Sequence, residues 1–174
     1  MEIYVAPRRE VGGSEAVYSL LARLFFEKYG GELPAIEKTK NGKPFFPDLP
    51  GVHFSLSHAR THVLCALSGH PIGADIESPR PVSDKAIRYF CLPGELNLFE
   101  PLDLWVLKES YIKLIGGTLV DAKKIRFSRE GDKVSASDKN VIIKLYRIGE
   151  CHAAVSSLGE SPPDTVLQIN DLRV

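Results

Sequence analysis

Strand-like text falls in two separate blocks of this sequence, and that segregation limits the folds open to the chain more than any other feature. In the first block VHFSLSH alternates from Val52 and THVLCALSG runs apolar to Gly69, after which His70 to Gly73 turns into ADIE. In the second, from Lys124 onward, KIRFS, KVSAS, NVIIKLYRI and CHAAVSS follow one another, with turns at Gly131-Asp132 and Lys139-Asn140. Between them, past the break from Pro79 to Pro81, residues 83–90 and 102–115 carry helical patterns separated by Pro93-Gly94 and Pro101. At the front, residues 1–6 read as a short strand and 14–29 as a helix, capped by Ser14 and stopped by Gly30-Gly31. Residues 38–50 read as a loop headed by an Asn41-Gly42 turn, and the tail from Gly159 as a last loop and edge strand. HVLCALSG and CHAAVSSLG echo each other as core strands, which permits a two-halved α+β architecture.

The bulk numbers narrow the function classes. A chain of 174 residues suffices for one domain, or two half-domains sharing a core, without help from disulfides or metal. Its 22 basic and 22 acidic residues cancel, so bulk charge recruits neither nucleic acid nor membrane, and no window approaches the ~20 apolar residues of a membrane span. Cys65, Cys91 and Cys151 are odd in number, widely spaced and set among apolar neighbours, which reads as buried thiols in a reducing compartment. With no signal-peptide pattern in MEIYVAPRRE, a cytoplasmic protein is expected.

Chemistry concentrates in four short stretches. In GADIE, residues two apart on a strand share a face, so Asp75 and Glu77 present two carboxylates side by side while Ile76 points inward. That arrangement suits an oxygen-ligated divalent cation such as magnesium, or it is simply a solvated strand end. In WVLKESYIKLIGG, Leu104, Leu107, Tyr111, Leu114 and Ile115 share one helical arc, with Trp105 and Ile112 at its edge, so Trp105 and Tyr111 read as core. Glu109 and Lys113 fall on the opposite side, either as an ordinary exposed pair or at the edge of a site. Lys108 projects within the apolar arc, where it must snorkel or find a buried partner; a site at the helix edge accounts for both lysines. If the acids are exposed, Asp75→Ala or Glu109→Ala leaves the fold nearly intact. Ser57 and His58 end a strand in FSLSH without a G-x-S-x-G elbow, and adjacent strand residues point to opposite faces, which argues against a hydrolytic triad with Asp75. They remain candidates for hydrogen bonds to phosphate oxygens, or for a capped turn. Lys43 in NGKPFF either holds a phosphate as a point charge or faces water.

GKPFFP, FSLSHA, IGADIE and WVLKESYIKLIGG, in this order and spacing, resemble the 4'-phosphopantetheinyl transferase family in its surfactin-synthetase-activating branch. The resemblance spans residues 41–117. It implies an α+β fold of two pseudo-twofold halves, residues 1–80 and 81–174, with the active site in the cleft between them. It also implies transfer of the phosphopantetheine arm of coenzyme A to a serine of an apo acyl or peptidyl carrier protein, with release of 3',5'-ADP, in fatty acid, polyketide or nonribosomal peptide biosynthesis. By the same resemblance Asp75, Glu77 and Glu109 ligate Mg2+. Lys43, Pro44, Ser57, His58, Glu109 and Lys113 form the coenzyme A set, and Glu109, Lys113 and His58 the catalytic one, with Glu109 or a magnesium-bound water accepting the serine proton. A monomer without nucleic acid or membrane partners is implied. Departures are a region before the first helix that lacks the family's usual basic residues, for which Arg8 and Arg9 are substitutes, and a short stretch between Pro81 and Leu102. A coenzyme A or nucleotide binding module without turnover, and a magnesium-dependent phosphohydrolase, are the competing readings.

Overall fold

The computed structural model describes residues 1–8, 12–170 and 172. Ile3 and Val5 alternate inward on β1 (Glu2–Pro7), which leads to α1 (Gly13–Tyr29). The helix begins at Gly13 with Gly12 as its cap and no side-chain cap, instead of the expected Ser14. The reason is tertiary: the His58 ring lies against Gly13 so closely that a Cβ there would stand 2.7 Å from it. Gly30, at φ 73°, ends the helix in a conformation that costs glycine little. Within the expected loop, β2 (Glu37–Lys38) and β3 (Pro44–Phe45) form a small antiparallel hairpin.

Next come β4 (His53–His58), β5 (His62–Ser68) and β6 (Ile72–Glu77), then α2 (Asp84–Phe90), where the Ser83 hydroxyl accepts a bond from the Ala86 amide at 3.2 Å. A 3-10 turn (Glu95–Asn97) precedes α3 (Pro101–Ile115), which opens on proline and closes on left-handed Gly116. After a second 3-10 segment (Leu119–Lys124) come β7 (Phe127–Glu130), β8 (Lys133–Ala136), β9 (Val141–Ile148), β10 (Cys151–Leu158) and β11 (Leu167–Gln168).

The chain is α+β. One sheet runs β11-β1-β5-β4 and the other β6-β10-β9, while β7 and β8 pair only with each other. Three packed layers of side chains follow from strand alternation. Val63, Cys65 and Leu67 of β5 pack on α1 with Phe46 and Phe54. Leu64 and Ala66 face the second sheet, meeting Ile76, Ala153 and Val155. Ala154 of β10 and Ile143 of β9 meet α3 through Leu104, Leu107 and Leu114. Both β5 and β10 are therefore covered on both faces, which is why each reads as a nearly continuous apolar run. All three cysteines are free; Cys65 and Cys151 are buried and Cys91 is half-buried.

Two findings bear on the site. β6 precedes residue 80 yet is hydrogen-bonded in the later sheet, antiparallel to β10, so the ladder crosses the expected division of the chain. Its other edge receives side chains instead of a strand: the Ala74 amide donates to Ser55 Oγ at 2.8 Å and the Ile76 amide to Ser57 Oγ at 3.2 Å. Second, α3 is buried on nearly every face, not on one arc, because the sheet covers one side and the 3-10 segments and β7 cover the other. Lys108 lies there, with its side chain only 1% exposed, and pairs with fully buried Glu95 at 3.0 Å and with the Ile125 carbonyl at 2.7 Å. Glu95 also accepts the amides of Phe127 and Leu92. A satisfied buried ion pair, not a functional site at the helix edge, thus accounts for this lysine. Ile115, expected in the core, is exposed.

Gly73 is where β6 touches α3. A Cβ there would lie 2.1 Å from the Ser110 carbonyl oxygen and 2.2 Å from the Leu114 nitrogen, both backbone atoms that cannot swing aside. Gly73→Ala is expected to destabilise the protein by about 3 kcal/mol or more. Urea unfolding checks this, and a loss below about 1 kcal/mol would contradict the close approach.

Candidate active site

A cleft of about 310 Å3 opens where α1, the β2–β3 hairpin, β4 and the end of α3 meet, with Ser14, Lys43, Pro44, Ser57, His58 and Lys113 in its walls. Tyr18 and Lys38 line it too. Helix α1 presents its first turn to this space, and helix N-termini favour anions. His58, exposed at the end of β4, rests on that same turn. The cleft therefore gathers lysines, an imidazole and a helix start, a composition suited to phosphate groups.

The three expected acids lie on β6 and α3 in distinct surroundings. Asp75 is only 6% exposed. Its Oδ1 accepts bonds from Lys113 Nζ at 2.8 Å and Ser57 Oγ at 2.7 Å, whereas its Oδ2 is buried with no partner. That burial corrects the expectation of an exposed acid whose removal is structurally neutral: Asp75→Ala strands the ammonium and the hydroxyl. Glu77 lies at the open end of β6, with Oε1 accepting from Arg80 Nη2 at 2.8 Å and Trp105 Nε1 at 3.2 Å, and Oε2 from Arg80 Nε at 3.2 Å. Glu109 is half-buried, and burial, then the charges of Asp75 and Glu77, raise its carboxyl above the usual range against the opposing pull of Lys113. The three acids thus share one electrostatic field.

They do not close into a tight ligand set. Among the described residues, the group whose ligand atoms lie within 4.8 Å of one another is Glu100, Asp103 and His152. There Asp103 is already saturated, accepting from Arg147 at 2.5 and 2.9 Å and bonded to His152 Nδ1 at 2.7 Å. Burial works against its ionisation, but those bonds prevail and hold its carboxyl below the ordinary range. This is an ion-pair node between α3 and β9–β10. The Asp75 group differs in the feature that matters for a cation: a buried carboxylate oxygen with nothing bound to it, in an all-oxygen donor set beside two further acids. Asp75, with Glu77 and Glu109 in its field, therefore offers the oxygen donor chemistry that a hard divalent ion takes.

Other expected site residues are used differently from the sequence reading. Ser57 spends its hydroxyl on Asp75 and on the Ile76 amide, so it joins β4 to β6. Lys43 directs its ammonium at the carbonyls of Leu114 (2.6 Å) and Ile72 (3.3 Å), tying the end of α3 to the head of β6, while Asn41 caps Gly116 at 2.8 Å. Trp105, read as core, also donates to Glu77. The sequence reading missed Lys38, Tyr18 and Arg80. Lys38 was in plain view five residues before Lys43 and pairs with Pro44 across the hairpin. Arg80 was hidden by a proline-flanked break that carries no periodicity. Arg8 donates to the Ala59 carbonyl at 3.3 Å, and Arg9 lies outside the described residues.

No protein-family model matches the chain. Curated relatives do. Over 123 residues, 62% of this chain and 55% of the relative, it is 36% identical to the 4'-phosphopantetheinyl transferase Sfp of Bacillus subtilis (strain 168). It is 34% identical over 125 residues to the 4'-phosphopantetheinyl transferase gsp of Aneurinibacillus migulanus, covering 62% of this chain and 52% of that one. A third, the 4'-phosphopantetheinyl transferase psf-1 of Bacillus pumilus, is 34% identical over 110 residues, 56% of this chain and 47% of its own. The chain spans about half the length of the curated relatives it matches. All of these relatives are 4'-phosphopantetheinyl transferases, and over the matched residues the chain is similar to that superfamily. Within that superfamily the likeness runs to the Sfp and gsp branch. No helix among the described residues is long and apolar enough to cross a membrane.

Burial lowers the Lys43 ammonium to about 8. Its ordinary value in an unfolded chain is about 10.4, so between the two the unfolded state holds more protons and stability rises with pH. Lys43→Met is expected to remove that rise between pH 8 and 10 when unfolding free energies of the two proteins are compared. Parallel pH curves would contradict the buried ammonium.

Proposed function

We propose that this chain transfers the 4'-phosphopantetheine arm of coenzyme A to a serine of an apo acyl or peptidyl carrier protein, with release of 3',5'-ADP. The observation that carries the reading is the unpartnered, buried Asp75 Oδ2, on a carboxylate whose other oxygen is bonded to Ser57 and Lys113, both in the wall of the cleft that His58 and the start of α1 also line. An anionic cation site next to a cationic cleft is what a diphosphate substrate needs. Phosphoryl transfer asks a protein mainly for positioning and charge neutralisation.

In this proposal Asp75, Glu77 and Glu109 hold Mg2+, which supplies charge neutralisation to the diphosphate when bound. Lys113, already against Asp75, swings a short distance to the diphosphate and stabilises the leaving 3',5'-ADP. Glu109, whose carboxyl is raised above the ordinary range, takes the proton from the carrier serine as its oxygen attacks phosphorus. His58 and Lys38, which line the cleft with Pro44, meet the phosphates. Lys43 and Ser57 act by holding α3, β4 and β6 in register. Residues 1–80 and 81–174 supply the two walls of the cleft, and one chain serves as the working unit in the cytoplasm.

Incubation with coenzyme A, MgCl2 and an apo carrier protein, followed by mass spectrometry of the carrier, tests the reading. A phosphopantetheine mass shift on the serine is expected. Binding of coenzyme A without any shift, or release of phosphopantetheine in the absence of carrier, would replace it with a binding module or a phosphohydrolase. Glu109→Gln and Asp75→Asn are each expected to lower kcat/KM by about 100-fold or more. Near-normal transfer by either variant removes that residue from the chemistry.

A further inference from the structure

Glu77, Arg80 and Trp105 form an arrangement that the transferase reading leaves unused. Arg80 grips Glu77 with two donors, at 2.8 and 3.2 Å, and the Trp105 indole N–H adds a third bond at 3.2 Å. The guanidinium carbon also stands 5.3 Å from the centre of the Trp105 ring. Trp105 is fixed in turn, edge-on to fully buried Phe90 at 5.3 Å. Arg80 is the movable member, 41% exposed on its side chain, and Pro79 and Pro81 hold its backbone in place.

The bonding pattern matters because of where Glu77 stands. Lys113 neutralises Asp75, and Arg80 neutralises Glu77. Two of the three acids thus carry counter-ions from the chain itself, which is how three carboxylates coexist in one field without an added ion. Both Glu77 oxygens accept from Arg80, so the guanidinium competes with a cation for the carboxylate. An exposed ion pair is weak enough for that exchange.

We propose that Arg80 is a positioning residue that sets the site's affinity for divalent cations, holding Glu77 in the cation-free protein and releasing it when a cation enters, with Trp105 as the rest for the guanidinium. The inference relies on the acid group being the cation site, as in the function proposed above. It makes Arg80 a competitor of the metal, not a support for it. A supporting residue would give the opposite sign.

Trp105 is the only tryptophan in the chain, so its fluorescence reports on Arg80 and Glu77 directly. The experiment is a titration of the full chain with MgCl2 alone, without coenzyme A, followed by tryptophan fluorescence and by calorimetry. Wild type is expected to change fluorescence on binding. Arg80→Gln is expected to bind Mg2+ about three- to fivefold more tightly, the range an exposed ion pair commands, and to lose most of the fluorescence change. Arg80→Lys, which keeps the charge but not the two-pronged grip, is expected to fall between them. Unchanged or weaker binding by Arg80→Gln, with wild type responding normally, overturns the inference and leaves the transferase reading standing. A wild type that binds no Mg2+ by calorimetry overturns the inference and the proposed metal site together, and the carrier mass shift then decides separately whether transfer survives. Thermal melts of both Arg80 variants show that each is folded.

Discussion

The structure depends on how β6 is held. A strand between two sheets must satisfy two rows of backbone amides, and β6 does so asymmetrically: by a regular ladder to β10 on one side and by serine hydroxyls of β4 on the other. Hydroxyls at alternate positions reach the amides without forcing β4 into the same sheet, so the two sheets pack face to face. Ser57 then uses its own proton on Asp75. One hydroxyl thus joins the sheets and orients the acid.

Much of this was legible in the sequence and some of it was not. Strands with strict alternation or doubly covered apolar runs stand out, and β4, β5, β6, β9 and β10 fall within a residue or two of the expected positions. The start of α1 was misplaced because a serine at a helix start suggests a cap, whereas the actual constraint is the His58 ring above Gly13, a contact between residues far apart in the chain. For Lys108 the alternative of a buried partner held and the helix-edge site did not; its partner Glu95 is on a separate turn, and no local pattern links them. The acids were found through spacing on β6 and α3, but their exposure was not, because burial depends on what the chain elsewhere lays over them. Trp105 shows the limit in the other direction: helical spacing assigned it to the core, which is correct for the ring and silent about the N–H.

The site is also a study in charge balance. Asp75, Glu77 and Glu109 are compensated by Lys113 and Arg80 and by a Glu109 carboxyl that holds its proton more firmly than usual. Lys43 acts at a distance from these acids but on both elements that carry them, since its ammonium bridges the last turn of α3 and the first residue of β6. Lys38 and His58 also line the cleft.

The absent side chain at position 73 has a mechanical consequence. Because β6 meets α3 backbone to backbone, Asp75 and Glu109 are mounted on two elements packed too closely to shift much against each other. In the cation site proposed above, discrimination between small and large ions would fall to carboxylate torsions, and chiefly to those of Glu77 at the end of the strand.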